Sequence, residues 1–332
     1  MSNTSKIKEY QFYGPLSDVI RKYIAEKRGI GLQYNSESKR LANFDRFTSN
    51  FSCNKDTLSK EVVTAWISKR DNECFASQNL RMKLMRQFGF FMQRCGYEAY
   101  ILPDLPKRKN ISSFAPYIYS DEEIERIFAY IDCWKATPQS PKGYIVYPVL
   151  FRVLYCCGLR ISEIRLLKVC DVDLENGVLN IQGAKFERDR KVPMSSSVTA
   201  LCRTYSKKMH QFSNDDDIYF PNAYGTHFGS TTIYYVFRKI LWKSGISHGG
   251  KGKGPRIHDF RHTFAVHCLR NWVQNGSNIS SALPYLSAYL GHVGLKESQQ
   301  YLKLTVDLYP EINSALENKI GHIIPSAEGD GK

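Results

Sequence analysis

The 332-residue sequence lacks the features typical of an exported or membrane-bound protein. Its nine cysteines are scattered and none forms a CxxC pair, which argues against both a disulfide framework and a zinc site built on paired cysteines. No apolar run approaches the roughly 18 residues of a membrane span. The segment MSNTSKIKEYQFYG also lacks the apolar core of a signal peptide. We therefore expect a soluble, cytoplasmic protein without membrane association.

Signatures of metal and nucleotide chemistry are also missing. The sequence contains no GxxxxGK[ST] loop, which excludes the common phosphate loop of ATP-hydrolysing enzymes. The run from Asn214 to Asp217 holds three consecutive carboxylates, but neighbouring side chains point in different directions on a helix or a strand. The segment HGGKGKGP (248–255) resembles a phosphate loop only in composition, and we interpret it as a flexible basic lead-in to the next helix. We predict neither a metal nor a cofactor.

Positive charge is in excess and is unevenly distributed. The chain has 46 Lys and Arg against 32 Asp and Glu, a net charge of +14. Residues 1–110 contain 20 Lys and Arg against 11 Asp and Glu. A polyanion such as nucleic acid is the expected partner, although a solubilising surface remains an alternative on charge alone.

The first hundred residues show helical periodicity of apolar side chains. In the clearest segment, Ser77 is the candidate N-cap and Gly96 ends the helix. Its expected apolar stripe is Leu80, Leu84, Phe88 and Phe91, with Arg81, Lys83 and Arg86 on other faces. We predict a small helical domain with basic outer faces over 1–105, a linker over 106–114, a second domain over 115–322 and a loose tail over 323–332.

The second domain is expected to be mostly helical. Ser120 and Glu123 form a capping box, and the apolar helix YIVYPVLFRVLYCC is ended by Gly158. The segment VDLENGVLNIQGAKFERDRKVPM predicts three short strands, with a two-residue hairpin signal at Asn176-Gly177. The predicted fold class is mainly α, with a small three-stranded antiparallel sheet in the second domain.

The stretch HDFRHTFAVHC, which starts at His258, places three histidines and an arginine on one predicted helix. At 100° per residue, His267 lies about 180° from His258, so three histidines cannot share one metal ion. His258 and Arg261 are neighbours at the edge of an apolar stripe. Because a guanidinium offers a planar fork to two oxygens, this pair suits phosphate binding. A solvent-facing basic edge is the alternative for the pattern alone.

Three further features strengthen the phosphate interpretation. In CCGLRISEIRLL, Arg160 stands at a helix start, where free backbone amides favour an anion. Glu163 shares its face and is placed to orient a basic neighbour. The segment YLGHVGLKESQQYLKL supplies His292 after a glycine turn and Tyr301 nine residues later.

Together, GLRISEI, HDFRHTFA, YLGH and the tyrosine nine residues beyond that histidine resemble the tyrosine recombinase (phage integrase) family. The resemblance covers about residues 115–320 well and the N-terminal part loosely. It implies a core-binding domain and a helical catalytic domain that close as a C-shaped clamp around duplex DNA. By motif match it also implies six site residues: Arg160 and Arg261 gripping the scissile phosphate, His292 donating a hydrogen bond to it, His258 assisting proton transfer, Glu163 supporting the site, and Tyr301 attacking.

The family has one more catalytic group, a lysine on a hairpin, and here the pattern departs. The sequence reads IQGAKFERDRKVP rather than Gly-Lys-Gly, and counting back from Val192-Pro193 places Lys185 at the expected position. We predict that Lys185 protonates the leaving 5′-oxygen. Three neighbouring basic residues compete for the role: Arg188, Arg190 and Lys191.

The resemblance implies a site-specific recombinase that forms a 3′-phosphotyrosine without metal or ATP. Its expected partners are double-stranded DNA, three further copies in a homotetramer on synapsed sites, and accessory DNA-bending proteins. The block LPYLSAYLGH…YLKLTVDLYPEI is similar to enzymes carried on bacterial transposons and plasmids, which suggests integration or transposition of a mobile element. A predicted helix near the end of the chain holds Ile312, Leu316 and Ile320 in register. In relatives such a segment packs on a neighbouring protomer, and packing on its own domain is the alternative.

Two other functions stay open on the sequence. A type IB topoisomerase-like enzyme would share the same chemistry. A DNA-binding module without catalysis is the other, and the intact set of motif residues argues against it.

Overall fold

The computed structural model describes residues 7–51, 55–103, 116–182, 189–250, 254–277 and 279–292, together with Tyr301 and Leu304. The chain divides into two compact units, an N-terminal one within residues 4–113 and a C-terminal one over 114–332. The predicted linker (106–114), Lys185, the predicted helix with Ile312 to Ile320 and the tail (323–332) lie outside the described residues. None of the helices in the described ranges is long and apolar enough to cross a membrane.

The N-terminal unit is a small helical bundle, as its apolar periodicity predicts. Over the described residues its helices are α1 (Ser17–Gly29), α2 (Asn35–Thr48), α3 (Lys60–Ile67) and α4 (Phe75–Arg94). Of the predicted stripe, Leu84, Phe88 and Phe91 are buried, and the rings of Tyr23 and Phe88 lie 5.4 Å apart in the core. A parallel pair of two-residue strands, β1 (Thr57–Leu58) and β2 (Glu98–Ala99), was not predicted. Two residues are too short for a period-2 signal.

Helix α4 differs from its prediction at three positions. It begins at Phe75 with Cys74 as N-cap, so Ser77 lies within the first turn rather than at the cap. Leu80 is 48% exposed, whereas Arg81 is only 5% exposed. Arg81 is buried because its guanidinium pairs with the carboxylate of Glu73 and donates to two carbonyls at the end of α3. Local periodicity cannot anticipate such long-range partners.

The C-terminal unit is built around one apolar helix. Over the described residues its helices are α5 (Asp121–Asp132), α6 (Gly143–Cys156), α7 (Ile161–Leu166), α8 (Ser196–Met209), α9 (Ser230–Lys243), α10 (Asp259–Gln274) and α11 (Ile279–Leu290), with a 3₁₀ turn at Val169–Asp171. The predicted capping box of Ser120 and Glu123 starts α5. Helix α6 packs against α5, α7, α8 and α10, which explains its nearly continuous apolar sequence.

A small antiparallel sheet lies between α7 and α8 in the chain. Its strands are β3 (Val172–Asp173), β4 (Val178–Ile181) and β5 (Arg190–Pro193), in the order β3-β4-β5. The fold class predicted from the sequence is therefore confirmed. The turn between β3 and β4 takes four residues, 174–177, rather than two. It is longer because the carboxylate of Asp173 accepts the backbone amides of Glu175 and Asn176, at 3.1 and 2.9 Å.

Candidate active site

The end of α6 determines where Arg160 lies. Gly158 has a φ of +55°, its amide donates to Tyr155, and the next amide, of Leu159, donates to Leu154. This is a Schellman turn, which closes a helix with a left-handed residue. A Cβ on Gly158 would come within 2.5 Å of the Phe264 ring, so only glycine fits. The turn redirects the chain, and Arg160 becomes the extended residue that precedes α7.

A second turn of the same kind ends α11 and positions His292. Gly291 has a φ of +67°, its amide donates to Ala288, and the amide of His292 donates to Ser287, each at 3.0 Å. A Cβ at Gly291 would lie 3.1 Å from the side chain of Arg190. The sequence YLGH therefore encodes a helix end whose next residue faces the site.

Two arginines that are distant in sequence meet at the end of α11. Arg160 donates from Nη2 to the carbonyl of Gly291, at 2.9 Å. Arg261 donates to the adjacent carbonyl of Leu290 and, at 2.8 Å, to that of Gly158. Carbonyls at a helix C-terminus carry partial negative charge, which stabilises both cations. Arg261 is only 2% exposed, so a solvent-facing basic edge does not describe this residue.

Glu163 joins Arg160 to a third guanidinium. Its buried carboxylate accepts the amide and Nη1 of Arg160, at 2.8 and 2.9 Å. It also accepts both terminal nitrogens of Arg190, at 2.8 and 2.9 Å. Arg190 reaches it from β5 and donates from Nε to the carbonyl of Tyr289 at 2.8 Å. Arg190 is therefore a buried positioning residue, whereas the sequence suggested only a competitor of Lys185.

The alternation of side chains along β5 could have indicated that Arg190 faces inward. Val192 is buried in β5, and side chains two apart lie on the same face, which places Arg190 on the inner side. Lys191 is exposed on the other side. An arginine also makes a poor proton donor because it keeps its proton at any physiological pH.

Tyr301 lies between two imidazoles. Nδ1 of His262 is 3.0 Å from the Tyr301 hydroxyl, and the ring of His292 stacks on the Tyr301 ring with centroids 5.9 Å apart. Tyr301 is 2% exposed and packs in an apolar cluster from α10 and α11. His258, which precedes the first residue of α10, forms a T-shaped pair with the His262 ring, with centroids 4.9 Å apart.

His262 is the contact that sequence reasoning missed. It was considered only as one of three possible metal ligands. Its position four residues after His258 and directly after Arg261 placed it near the site. The third histidine, His267, lies elsewhere: its Nδ1 is 2.9 Å from the Tyr155 hydroxyl and 3.7 Å from Asp121.

Burial and neighbouring cations keep these imidazoles neutral. Desolvation, followed by the charge of Arg261, lowers the pKa of His258 to about 4 and that of His292 to about 3. Desolvation and then His258 lower the pKa of His262 to about 4. Burial and Arg160 lower the pKa of Arg261 to about 10, so it still carries its charge at neutral pH. A site that resists further positive charge favours an anion.

Glu163 should make the stability of the C-terminal unit depend on pH. Burial alone would raise its pKa, but Arg190 and Arg160 hold the pKa below its ordinary value of 4.5. Its stabilising contribution is therefore complete above pH 4.5 and is lost as the pH falls through the lowered value.

We expect Glu163→Gln to lower the free energy of unfolding by about 3 kcal/mol at pH 7, because the buried guanidinium of Arg190 and the partly buried one of Arg160 lose their counter-charge. The loss should shrink in acid, and urea titrations at pH 7 and pH 4 measure both values. Asp216→Asn, which breaks an exposed pair with Lys168, is the control and should change little. An unfolding curve for Glu163→Gln that matches the original protein at pH 7 would contradict this account.

Comparisons with known proteins identify the family of this chain. The profile of the phage integrase family matches residues 119–307. The chain is similar to the putative integrase/recombinase y4rB of Sinorhizobium fredii, with 30% identity over 317 residues, 90% of this chain and 96% of the relative. It is also similar to the tyrosine recombinase XerC of Oceanobacillus iheyensis, with 27% identity over 239 residues, 70% of this chain and 71% of that protein.

Solved structures share the fold. The site-specific recombinase XerH, bound to a palindromic difH substrate, matches with a TM-score of 0.62 and 19% identity, over 90% of this chain and 84% of that one. The integrase of the transposon Tn1549, in complex with a circular intermediate DNA, matches with a TM-score of 0.59 and 17% identity, over 85% of this chain and 94% of that one. These findings do not favour the topoisomerase-like or the non-catalytic alternative. From the profile match and the y4rB similarity it follows that the chain belongs to the phage integrase family, the tyrosine recombinases.

Proposed function

We propose that this protein is a site-specific DNA recombinase of the integrase or transposase type, which cuts and rejoins strands through a 3′-phosphotyrosine. The observation that carries the proposal is the meeting of Arg160 and Arg261 on consecutive carbonyls at the end of α11. The next residue in the chain, His292, stacks on Tyr301. The anion-binding groups and the nucleophile therefore share one site.

The two arginines would bind the scissile phosphate. A guanidinium has five N–H donors, and the hydrogen bonds of Arg160 and Arg261 to protein leave further donors for phosphate oxygens. Attack on a phosphodiester concentrates negative charge on these oxygens, and fixed cations stabilise that charge without reorganising. His292, which is neutral before binding, would donate a hydrogen bond from a ring N–H to the same group. No metal ion is needed for this stabilisation.

The covalent step replaces one phosphoester bond by another. The Tyr301 oxygen forms a bond to phosphorus, and the bond from phosphorus to the 5′-oxygen breaks. The leaving oxygen needs a proton, which Lys185 would supply on the basis of its place in the motif, while His258 would assist proton transfer. The energy of the phosphodiester is kept in the phosphotyrosine, so a 5′-hydroxyl can restore the strand without ATP.

Double-stranded DNA is the proposed partner, contacted by both units. The excess of basic residues in 1–110 supports this, as do the DNA complexes of XerH and the Tn1549 integrase, which share the fold. We further propose a homotetramer on two synapsed sites, aided by accessory DNA-bending proteins. Transposition or integration of a mobile element is the proposed biological task.

One experiment separates this function from that of a topoisomerase. Nicked duplexes from the DNA that flanks the gene are incubated with the protein, and the covalent adducts are trapped. The DNA in these adducts is sequenced, and the trapped sequence is cloned into plasmids. We expect strand exchange only between two plasmids that carry the trapped site. Relaxation of any supercoiled plasmid, with or without the site, would instead support the topoisomerase. DNA binding without any adduct would support the non-catalytic module.

A further inference from the structure

The hydroxyl of Tyr301 has a specific protein contact before any DNA is bound. Nδ1 of His262 lies 3.0 Å from it, within the range of a normal hydrogen bond, and the two rings are 5.5 Å apart at their centroids. His262 lies in α10, which is anchored by buried Phe260, Ala265 and Val266 on the same helix. The contact therefore joins a rigid element to the proposed nucleophile, 39 residues away in the chain.

The direction of this hydrogen bond is set by which ring nitrogen of His262 carries the proton. Burial, and next the ring of His258, lower the pKa of His262 to about 4, so the ring is neutral at pH 7. A neutral imidazole has one N–H and one bare nitrogen. When Nε2 carries the proton, Nδ1 accepts the hydrogen bond that the Tyr301 hydroxyl donates. This is the geometry in which a base receives a proton.

We propose that His262 is a catalytic residue, the base that takes the proton from Tyr301 as its oxygen attacks the phosphorus. The inference rests on the proposed function, because it needs Tyr301 to be the nucleophile. It assigns to His262 a role that neither the sequence motifs nor the comparisons give it. His258, whose ring packs against that of His262, would assist the later transfer of this proton.

The step balances without a further reactant. The O–H bond of Tyr301 breaks and its proton moves to Nδ1 of His262, while the tyrosine oxygen bonds to phosphorus and the 5′-oxygen leaves with the proton that Lys185 would supply. When the strand is rejoined, the incoming 5′-hydroxyl returns its proton to Lys185 and displaces the tyrosine, which takes the other proton back from His262. Over a complete cycle the imidazole gains and loses one proton.

Binding of DNA should make His262 a better base. The charged and titratable groups around His262 are Arg256, His258, Arg261, His292 and Tyr301. The cations among them disfavour an imidazolium in the free protein. A phosphodiester held by the arginines brings a negative charge to the same place, and an opposite charge raises the pKa of a nearby imidazole.

The test compares single-turnover adduct formation by the original protein and by His262→Asn on the trapped DNA site. An asparagine side chain can still accept a hydrogen bond near the position of Nδ1, but it cannot take a proton. The substrate carries a 5′-bridging sulfur, whose thiolate leaves without an acid, so the pH profile reports on the nucleophile.

We expect the rate of His262→Asn to fall on the order of 100-fold at pH 7. It should then rise about tenfold per pH unit toward the ordinary tyrosine pKa of about 10, because only the phenolate attacks. The original protein should be nearly flat from pH 6 to 8. A fluorinated tyrosine at position 301, which ionises more readily, should accelerate His262→Asn more than the original protein.

His267→Asn, on the same helix but bonded to Tyr155, is the matched control and should keep the original pH profile. If His262→Asn also keeps that profile, or keeps the original rate, the base role is wrong. Nitrogen-15 NMR of the free protein gives a second test that needs no DNA: we expect Nδ1 of His262 to be unprotonated at pH 7, and a protonated Nδ1 would overturn the proposal.

The two proposals fail in different ways. If the original protein forms no adduct, the proposed function is wrong. If Tyr301→Phe still forms one at the original rate, another residue is the nucleophile, and the base role of His262 is wrong with it. If the original protein forms an adduct through Tyr301 and only the His262→Asn results disagree, the function stands and the base is another group.

Discussion

Replacing Tyr301 by phenylalanine should abolish covalent capture of DNA while leaving DNA binding intact. The variant keeps the ring that stacks on His292 and packs against α10 and α11, so the fold is preserved. It loses the only atom of this side chain that can bond to phosphorus. We expect adduct formation to fall by a factor on the order of 10⁴ or more, as when a nucleophile is removed from an enzyme.

The measurement is a denaturing gel of a labelled nicked duplex after incubation with each protein. Tyr285→Phe is the control, because Tyr285 lies on α11 with its side chain mostly exposed, and it should form the adduct at the original rate. Adduct formation by Tyr301→Phe at a similar rate would show that another residue is the nucleophile.

The second large effect is expected at Arg261. Its guanidinium spans the carbonyls of Gly158 and Leu290, which holds the ends of α6 and α11 together from inside the core. Arg261→Lys keeps the positive charge but loses the planar fork, so it cannot bond both carbonyls and a phosphate. We expect adduct formation to fall at least about 100-fold, the usual loss when one fixed donor to a transition state is removed.

Arg261→Ala should additionally destabilise the fold, because two buried carbonyls lose their donor. Thermal unfolding measures this loss of stability separately from the loss of adduct formation. The prediction is made for the lysine variant because it keeps the charge at this position. Arg152→Lys is the control: Arg152 forms a two-pronged pair with Asp132, and its substitution should leave adduct formation unchanged. An Arg261→Lys protein with the original rate would contradict phosphate binding by Arg261.

Local rules predicted the elements that place the site. The capping box at Ser120, the helix stop at Gly158 and the glycine turn before His292 all depend on neighbours within six residues, and the structure contains each of them. The same rules placed α10 over HDFRHTFAVHC. Such features are predictable because the partner groups are fixed by the backbone geometry of one helix end.

The remaining features depend on partners that the chain brings together only on folding. Arg190 pairs with Glu163, which is 27 residues away in the chain. The spacing of apolar residues cannot predict a buried ion pair of this kind. Arg81 is buried for the same reason, because its carboxylate partner lies eight residues away and before the helix starts. The contact of His262 with Tyr301 joins two segments that no local motif connects. The assignment of Lys185 stays a prediction, since it lies outside the described residues.

The central claim is that protein cations alone activate a DNA phosphate toward Tyr301. The most direct test is to trap the protein on a nicked duplex in the presence of excess EDTA and to identify the modified peptide by mass spectrometry. We predict a full yield of adduct, with the 3′-phosphate of the DNA on Tyr301. Cleavage that stops when divalent ions are removed, or broken ends that carry no protein, would contradict it.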